Sequence, residues 1–217
     1  MKFIRVNNLG VYDGLPDLAE ISARLDKLSS AESIDTVNWK DFNYKPEVKF
    51  VIAYSDSELF IKYYVSEDFV KAEKGYDNEM VCEDSCVEFF VAPAEDGKYL
   101  NFEFNSIGVC YMGSGTGRHD SKPVDRSMVS RVRRHSSLGT GTFPEKTGRQ
   151  EWELTVAIPL DLLFGKEFTI AKGTRVKANF YKCGDMLTRP HYLTWNEVLT
   201  SEPDYHRPEY FGELLFD

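Results

Sequence analysis

Residues 99–105, YLNFEFN, alternate strictly between two kinds of side chain. Leu100, Phe102 and Phe104 fall on one face of an extended strand, and Tyr99, Asn101, Glu103 and Asn105 fall on the other. A helix would scatter both sets around its circumference. The same period of two recurs at 86–92, where Val87, Phe89 and Val91 oppose Glu88. It recurs again at 175–182, where Val176, Ala178 and Phe180 oppose Arg175, Lys177, Asn179 and Tyr181. Segments 48–55 and 58–65 are rich in Val, Ile, Tyr and Phe, and the Asp56-Ser57 turn between them predicts a hairpin. Further strands are expected at 109–112, 128–134, 152–158, 192–195 and 211–216, with a helix or loop at 66–74 and a helical turn at 160–164. Strands follow one another through polar turns and no βαβ alternation is present. The expected fold is all-β: an antiparallel β-sandwich of jelly-roll type.

One amphipathic helix interrupts this pattern. Leu18, Ile21, Leu25 and Leu28 recur at helical spacing over 17–28, behind Pro16 and an Asp17/Glu20 pair at capping-box spacing. Residues 1–40 therefore read as an N-terminal strand and a short helix packed on the sandwich. With no repeat, low-complexity tract or linker, 1–217 reads as a single domain. Hydrophobic residues at 42% are enough for one sizeable core.

Composition narrows the partners. A net charge of -9 repels phosphate backbones and argues against nucleic acid. The basic run Arg118, Lys122, Arg126, Arg131, Arg133 and Arg134 reads as a solvated loop and a charge-protected edge strand. No run of apolar residues is long enough to span a membrane. The apolar run in 1–8 is too short for a signal peptide. The expectation is a cytoplasmic protein, or a secreted or periplasmic one that has lost its leader. Cys82, Cys86, Cys110 and Cys183 form no C-x-x-C pair, and no His stands at zinc spacing, so buried free thiols are expected and a zinc site is not. If 82–86 is extended, Cys82 and Cys86 are too far apart for a bridge. Gly113, Gly115 and Gly117 do not open a helix, which removes a phosphate-loop reading. His119, His135, His191 and His206 are too scattered to suggest a triad, and no serine sits in a G-x-S-x-G elbow.

Amides, carboxylates and a phenol thus share the non-core side of several strands. Such groups pair with sugar hydroxyls as donor and acceptor, and asparagine is unusual within strands unless it has work to do. The candidate ligand-binding residues are Glu88, Asn101, Glu103, Asn105, Asn179 and Tyr181. Tyr205 and His206 join them from a tail loop stiffened by Pro203 and Pro208, with Tyr205 as an aromatic platform. Trp195 and Tyr210 are read as plugs for the sandwich end.

Five segments in order resemble family 9 carbohydrate-binding modules. They are 83–91 (EDSCVEFFV), with its acidic start and Val-Glu core, then 99–105, then 152–159 (WELTVAIP), then 179–181 (NFY), then 206–212 (HRPEYFG). The similarity is greatest to family-9-like proteins of polysaccharide-degrading gut bacteria. The resemblance implies a non-catalytic β-sandwich that binds oligo- or polysaccharides such as xylan or glucan, beside glycoside hydrolases. It also implies two tryptophans clamping one sugar. Those positions correspond here to Cys82 and Tyr205, the polar helpers to Glu88, Asn101, Glu103 and Asn105, and an arginine of those members falls at Glu103. Structural calcium is implied by the resemblance, with no ligands placed; no other cofactor is expected. Two alternatives stay open: a glycoside hydrolase using Glu88 and Glu103, or a sandwich interaction protein without a sugar site.

Overall fold

A computed structural model describes residues 1–29, 31–165 and 170–217 of the chain. Among the described residues, fourteen strands form two layers. The first contains β2 (Glu32–Ser33), β4 (Glu47–Tyr54), β5 (Glu58–Ala72), β10 (Arg133–Ser136) and β11 (Phe143–Pro159). The second contains β3 (Thr36–Val37), β6 (Cys86–Ala92), β7 (Tyr99–Asn105), β8 (Cys110–Gly115), β9 (Lys122–Pro123), β12 (Arg175–Cys183), β13 (Tyr192–Thr194) and β14 (Gly212–Phe216). β1 (Phe3–Asn8) joins the two. Phe3 to Val6 run parallel to β14, and Asn7 and Asn8 run parallel to β4. All other pairings are antiparallel. The chain is a β-sandwich.

Alternation decides what fills the space between the layers. Phe50, Ile52, Ile61, Trp152 and Leu154 meet Phe89, Phe102, Phe104, Val176 and Phe180 in one core. Phe50 stacks on Phe180 across the gap with ring centroids 3.8 Å apart. Helix α1 (Leu18–Leu25) covers the outer face of the first layer, burying Ile21 and Leu25 against Val51, Ala53, Phe60 and Ala157. Asp17 caps it, its carboxylate accepting from the amides of Ala19 and Glu20.

The outer face of the second layer is covered as well. Trp39, Val198, Tyr205 and Phe211 lie over Phe90, Tyr99 and Tyr181 in a separate aromatic core. This layer changes the meaning of the polar strand face, which is buried rather than solvated.

Several expectations need correction. The segment 66–74, expected as helix or loop, is strand as far as Ala72: β5 continues to that residue, paired with β11 across two register shifts. Its alternation is hidden because Glu67 and Lys71 are buried polar residues. Glu67 accepts from the Trp152 indole at 2.8 Å and lies 2.9 Å from the buried Lys182 ammonium. Segment 128–134 is not one strand. Asp125 caps a short helix α2 (Arg126–Val129), and β10 begins only at Arg133. β10 is an edge strand as expected, but three of the six basic residues are ion-paired rather than free in solvent. Arg133 holds Glu58 through two nitrogens, Arg134 holds Asp77, and Arg131 holds Asp161. Helix α3 (Leu160–Phe164) follows Pro159 as expected. Cys82 lies in a 3-10 turn rather than an extended segment, and all four cysteines are free. Trp195 is buried in the main core, its indole donating to Glu32.

Candidate functional site

Where the aromatic cover stops, the outer face of β6, β7 and β12 opens into a cleft of about 270 Å³. Its floor comes from adjacent strands. Glu88 on β6 stands directly opposite Glu103 on β7 and Tyr181 on β12, and Cys86 stands opposite Cys183. Period two therefore puts both carboxyls and both thiols on one side of the sheet. Walls and mouth come from loops: Met80 and Cys82, Arg118 and Ser121, Asp185, Pro203, Tyr205 and His206, with Tyr111 and Tyr192 from strands.

Two carboxyls side by side in a buried cleft cannot both ionise cheaply. Burial, and then the charge of Glu103, push Glu88 well above the ordinary carboxyl range. Glu103 is pushed up to about 7, mainly by burial, against the opposing hydrogen bond from Asn101. Asp185 is raised by burial to about 6. The Cys183 thiol donates to Glu88 Oε1 at 3.1 Å. Asn101 Nδ2 donates to Glu103 Oε1 at 2.9 Å, and Ser121 Oγ donates to Asn101 Oδ1 at 3.3 Å. Glu103 is thus oriented by a chain of polar groups running back into the loop that carries Arg118. Arg118 itself donates to the Pro203 carbonyl at 3.0 Å, tying the two loops that face each other across the mouth.

His206 is fixed from behind. Its Nδ1 is 2.6 Å from the Tyr99 hydroxyl. Burial lowers its pKa to about 4, so it is neutral near pH 7. With Nδ1 engaged by Tyr99, Nε2 is the ring nitrogen left for a ligand. Tyr205 lies flat on Tyr181, with centroids 4.0 Å apart and planes 9° apart. Its hydroxyl donates to the carbonyls of Lys182 and Leu193, so only part of the ring faces the cleft.

The structure brings Glu88, Glu103, Tyr205 and His206 together in the cleft, with Asn101 directly behind Glu103. It does not bring the other three candidates there. Asn105 bonds the Lys74 carbonyl, Asp84 and the Val109 amide. Asn179 bonds the backbone of Asn196 and Phe180. Tyr181 lies beneath Tyr205 and donates to its carbonyl at 3.1 Å. Their polar atoms hold the cover layer and the adjacent turns. Sequence reasoning missed Arg118, Asp185 and Tyr192. A loop basic residue at the end of a glycine run was the only signal for Arg118. Asp185 and Tyr192 had none, because their position depends on how 184–192 returns to β12.

The cleft offers carboxyl groups, a neutral imidazole nitrogen, a guanidinium, phenols and apolar surface from Met80 and Pro203. That set suits paired hydrogen bonding to a polyhydroxylated ligand. Among the described residues, the groups of metal-ligand type that meet closely are Cys86, Glu88 and Cys183. Two sulfurs are the wrong donors for calcium, which takes oxygen ligands. A larger hollow of about 440 Å³ crosses β4, β5 and β11. It lacks the buried facing carboxyls.

The chain matches the family model for carbohydrate-binding family 9 over residues 20–216. It is 37% identical to a candidate carbohydrate-binding protein from Bacteroides uniformis ATCC 8492, with a TM-score of 0.93 over 100% of this chain and 99% of that one. Two structures of a family 9 module from Caldicellulosiruptor kristjanssonii share the fold at lower identity. The glucose complex has a TM-score of 0.59 at 14% identity, over 100% of this chain and 96% of that one. The cellotriose complex has a TM-score of 0.56 at 13% identity, over 99% and 93%. No curated protein matches the chain. The protein belongs to carbohydrate-binding family 9.

Proposed function

We propose that the cleft binds a neutral oligosaccharide or the end of a polysaccharide of the xylan or glucan class, and that the protein is a non-catalytic accessory to polysaccharide degradation. The observation that carries this reading is the convergence of Glu88, Glu103, His206 and Arg118 on one small cleft walled by Tyr205. Family membership and the glucose and cellotriose bound by its structural neighbours point the same way. The cleft, at about 270 Å³, lies just below the ~300–1,000 Å³ usual for ligand pockets, which favours one or two sugar rings over a long chain. Glu88 and Glu103 sit side by side on paired strands, with Glu88 strongly held in its neutral form. A hydrolase instead needs carboxyls flanking one glycosidic bond with divided roles.

Calorimetry with xylo- and cello-oligosaccharides, in buffer containing a chelator, tests the proposal. Saturable binding is expected, weakened at least tenfold in Glu103→Ala and in Arg118→Ala. Absence of binding at millimolar sugar would favour an interaction protein. Affinity unchanged in both variants would move the site elsewhere. New reducing ends that disappear in Glu88→Gln would establish a hydrolase.

A further inference from the structure

At the floor of the cleft, Glu88 and Cys183, which line it, meet Cys86, which lies beneath. Cys86 and Cys183 are direct cross-strand partners, and Glu88 follows two residues along β6 on the same face. Both sulfurs and a Glu88 carboxylate oxygen lie within 4.8 Å of one another. All three residues are buried. Cys86 Sγ is 4.0 Å, and Cys183 Sγ 3.1 Å, from Glu88 Oε1. Cys82 and Asp185 line the same cleft as Glu88 and Cys183, and Cys183 Sγ is 3.8 Å from the Cys82 carbonyl oxygen. Asp185 is pinned by its amide to the Cys82 carbonyl at 2.9 Å, yet its Oδ1 is buried with no hydrogen-bond partner. A buried carboxylate oxygen without a donor is costly. The Asp185 carboxyl also feels the Cys183 thiol and the Tyr192 hydroxyl as hydrogen-bonding neighbours, so it stands next to one of the three atoms that a cation would gather.

We propose that Cys86, Glu88 and Cys183 form the base of a site for a thiophilic divalent ion, with zinc the best match and the remaining position on the Asp185 side. Zinc–sulfur bonds of ~2.3 Å and zinc–oxygen bonds of ~2.0–2.2 Å set tetrahedral ligand atoms roughly 3.3–3.8 Å apart. The observed spacings of 3.1 Å and 4.0 Å to Glu88 Oε1, with all three atoms within 4.8 Å of one another, lie around that range. Three protein ligands with an open fourth position is the arrangement of an accessible zinc ion rather than a closed structural one. Two thiols select zinc, cobalt or cadmium over calcium and magnesium. The ligands come from two strands far apart in sequence, so no spacing motif announces them. The inference does not depend on the sugar reading.

The experiment uses the full chain, stripped with chelator, kept reduced by a phosphine and titrated with zinc chloride and with cobalt chloride. One equivalent of zinc is expected to bind in competition with a chromophoric chelator and to raise the melting temperature. Cobalt is expected to give a thiolate charge-transfer band. Cys86→Ser/Cys183→Ser should lose that band and at least tenfold in zinc affinity. Cys86→Val/Cys183→Ala serves the same purpose with an apolar replacement, and the metal-free melting temperature reports whether each variant is folded. The proposal is overturned if the wild type takes up no stoichiometric zinc, if bound cobalt shows no thiolate band, or if a folded variant keeps its affinity. It is equally overturned if the reduced protein ignores zinc while the two thiols close to a disulfide in air. Sugar calorimetry in chelator reads the other proposal separately.

Discussion

Tyr205 serves the fold before it serves any ligand. Its ring is stacked on Tyr181, it is only 8% exposed, and its hydroxyl is spent on two backbone carbonyls. Removing the whole side chain opens a cavity under the cover layer, so Tyr205→Ala is expected to cost about 3–5 kcal/mol in urea denaturation. Tyr205→Phe keeps the stack but leaves the carbonyls of Lys182 and Leu193 without this donor, and about 1–2 kcal/mol is expected. Because the hydroxyl points into the fold, Tyr205→Phe should bind oligosaccharide as the wild type does. A tenfold loss in the phenylalanine variant would instead give the hydroxyl a part in recognition. The residue was legible in the sequence as an aromatic between prolines. That it faces Tyr181 rather than solvent was not, since the stack depends on β12 and on residues more than twenty positions away.

Among the elements, the β8–β9 connection links fold to site. Gly113 and Gly115 both belong to β8. They are glycines because another segment presses on them. A Cβ on Gly115 would lie 2.6 Å from Ser121 Cα and 2.7 Å from its nitrogen. The returning loop is held by Asp120, which accepts from the amides of Thr116 and Gly117. It places Ser121 against Asn101 and Arg118 at the cleft mouth. Gly115→Ala must push the Ser121 backbone away. Oligosaccharide affinity should fall several-fold, with a drop of only a few degrees in melting temperature because the main core is untouched. An unchanged affinity by calorimetry would separate the loop from the site. Strands with an apolar set facing a polar set, such as β6, β7 and β12, were readable from the chain alone. The far half of β5 was not, because Glu67 and Lys71 occupy buried positions where Lys182 and Asp84 provide opposite charge. Period two also assigned Glu88, Asn101 and Glu103 to one face. It could not reveal that a second layer covers most of that face.

At the scale of the whole molecule, each outer face of the sandwich is partly covered, and the buried acidic groups of the cleft are a stability term for the entire chain. Glu103 titrates near 7 in the folded state against an ordinary 4.5. The folded protein holds a proton there that the unfolded chain releases. This contribution is complete below 4.5 and is lost as pH rises through about 7. Asp185 acts in the same direction over a lower window, from 3.8 to about 6. His206 has the opposite sign. Its pKa is depressed from 6.5 to about 4, so its contribution is intact above 6.5 and is lost as pH falls towards 4. The alkaline side is therefore the clean test of the carboxyl pair. Glu103→Gln keeps an oxygen for Asn101 but cannot ionise. Relative to wild type, the variant should gain stability steadily from about pH 5 to about pH 8, with the difference levelling above the folded pKa. Urea denaturation across that range, in the presence of chelator so that no metal neutralises Glu88, reads the slope. A stability difference independent of pH would mean that Glu103 ionises as freely as in the unfolded chain, and that the cleft is wetter than its burial indicates.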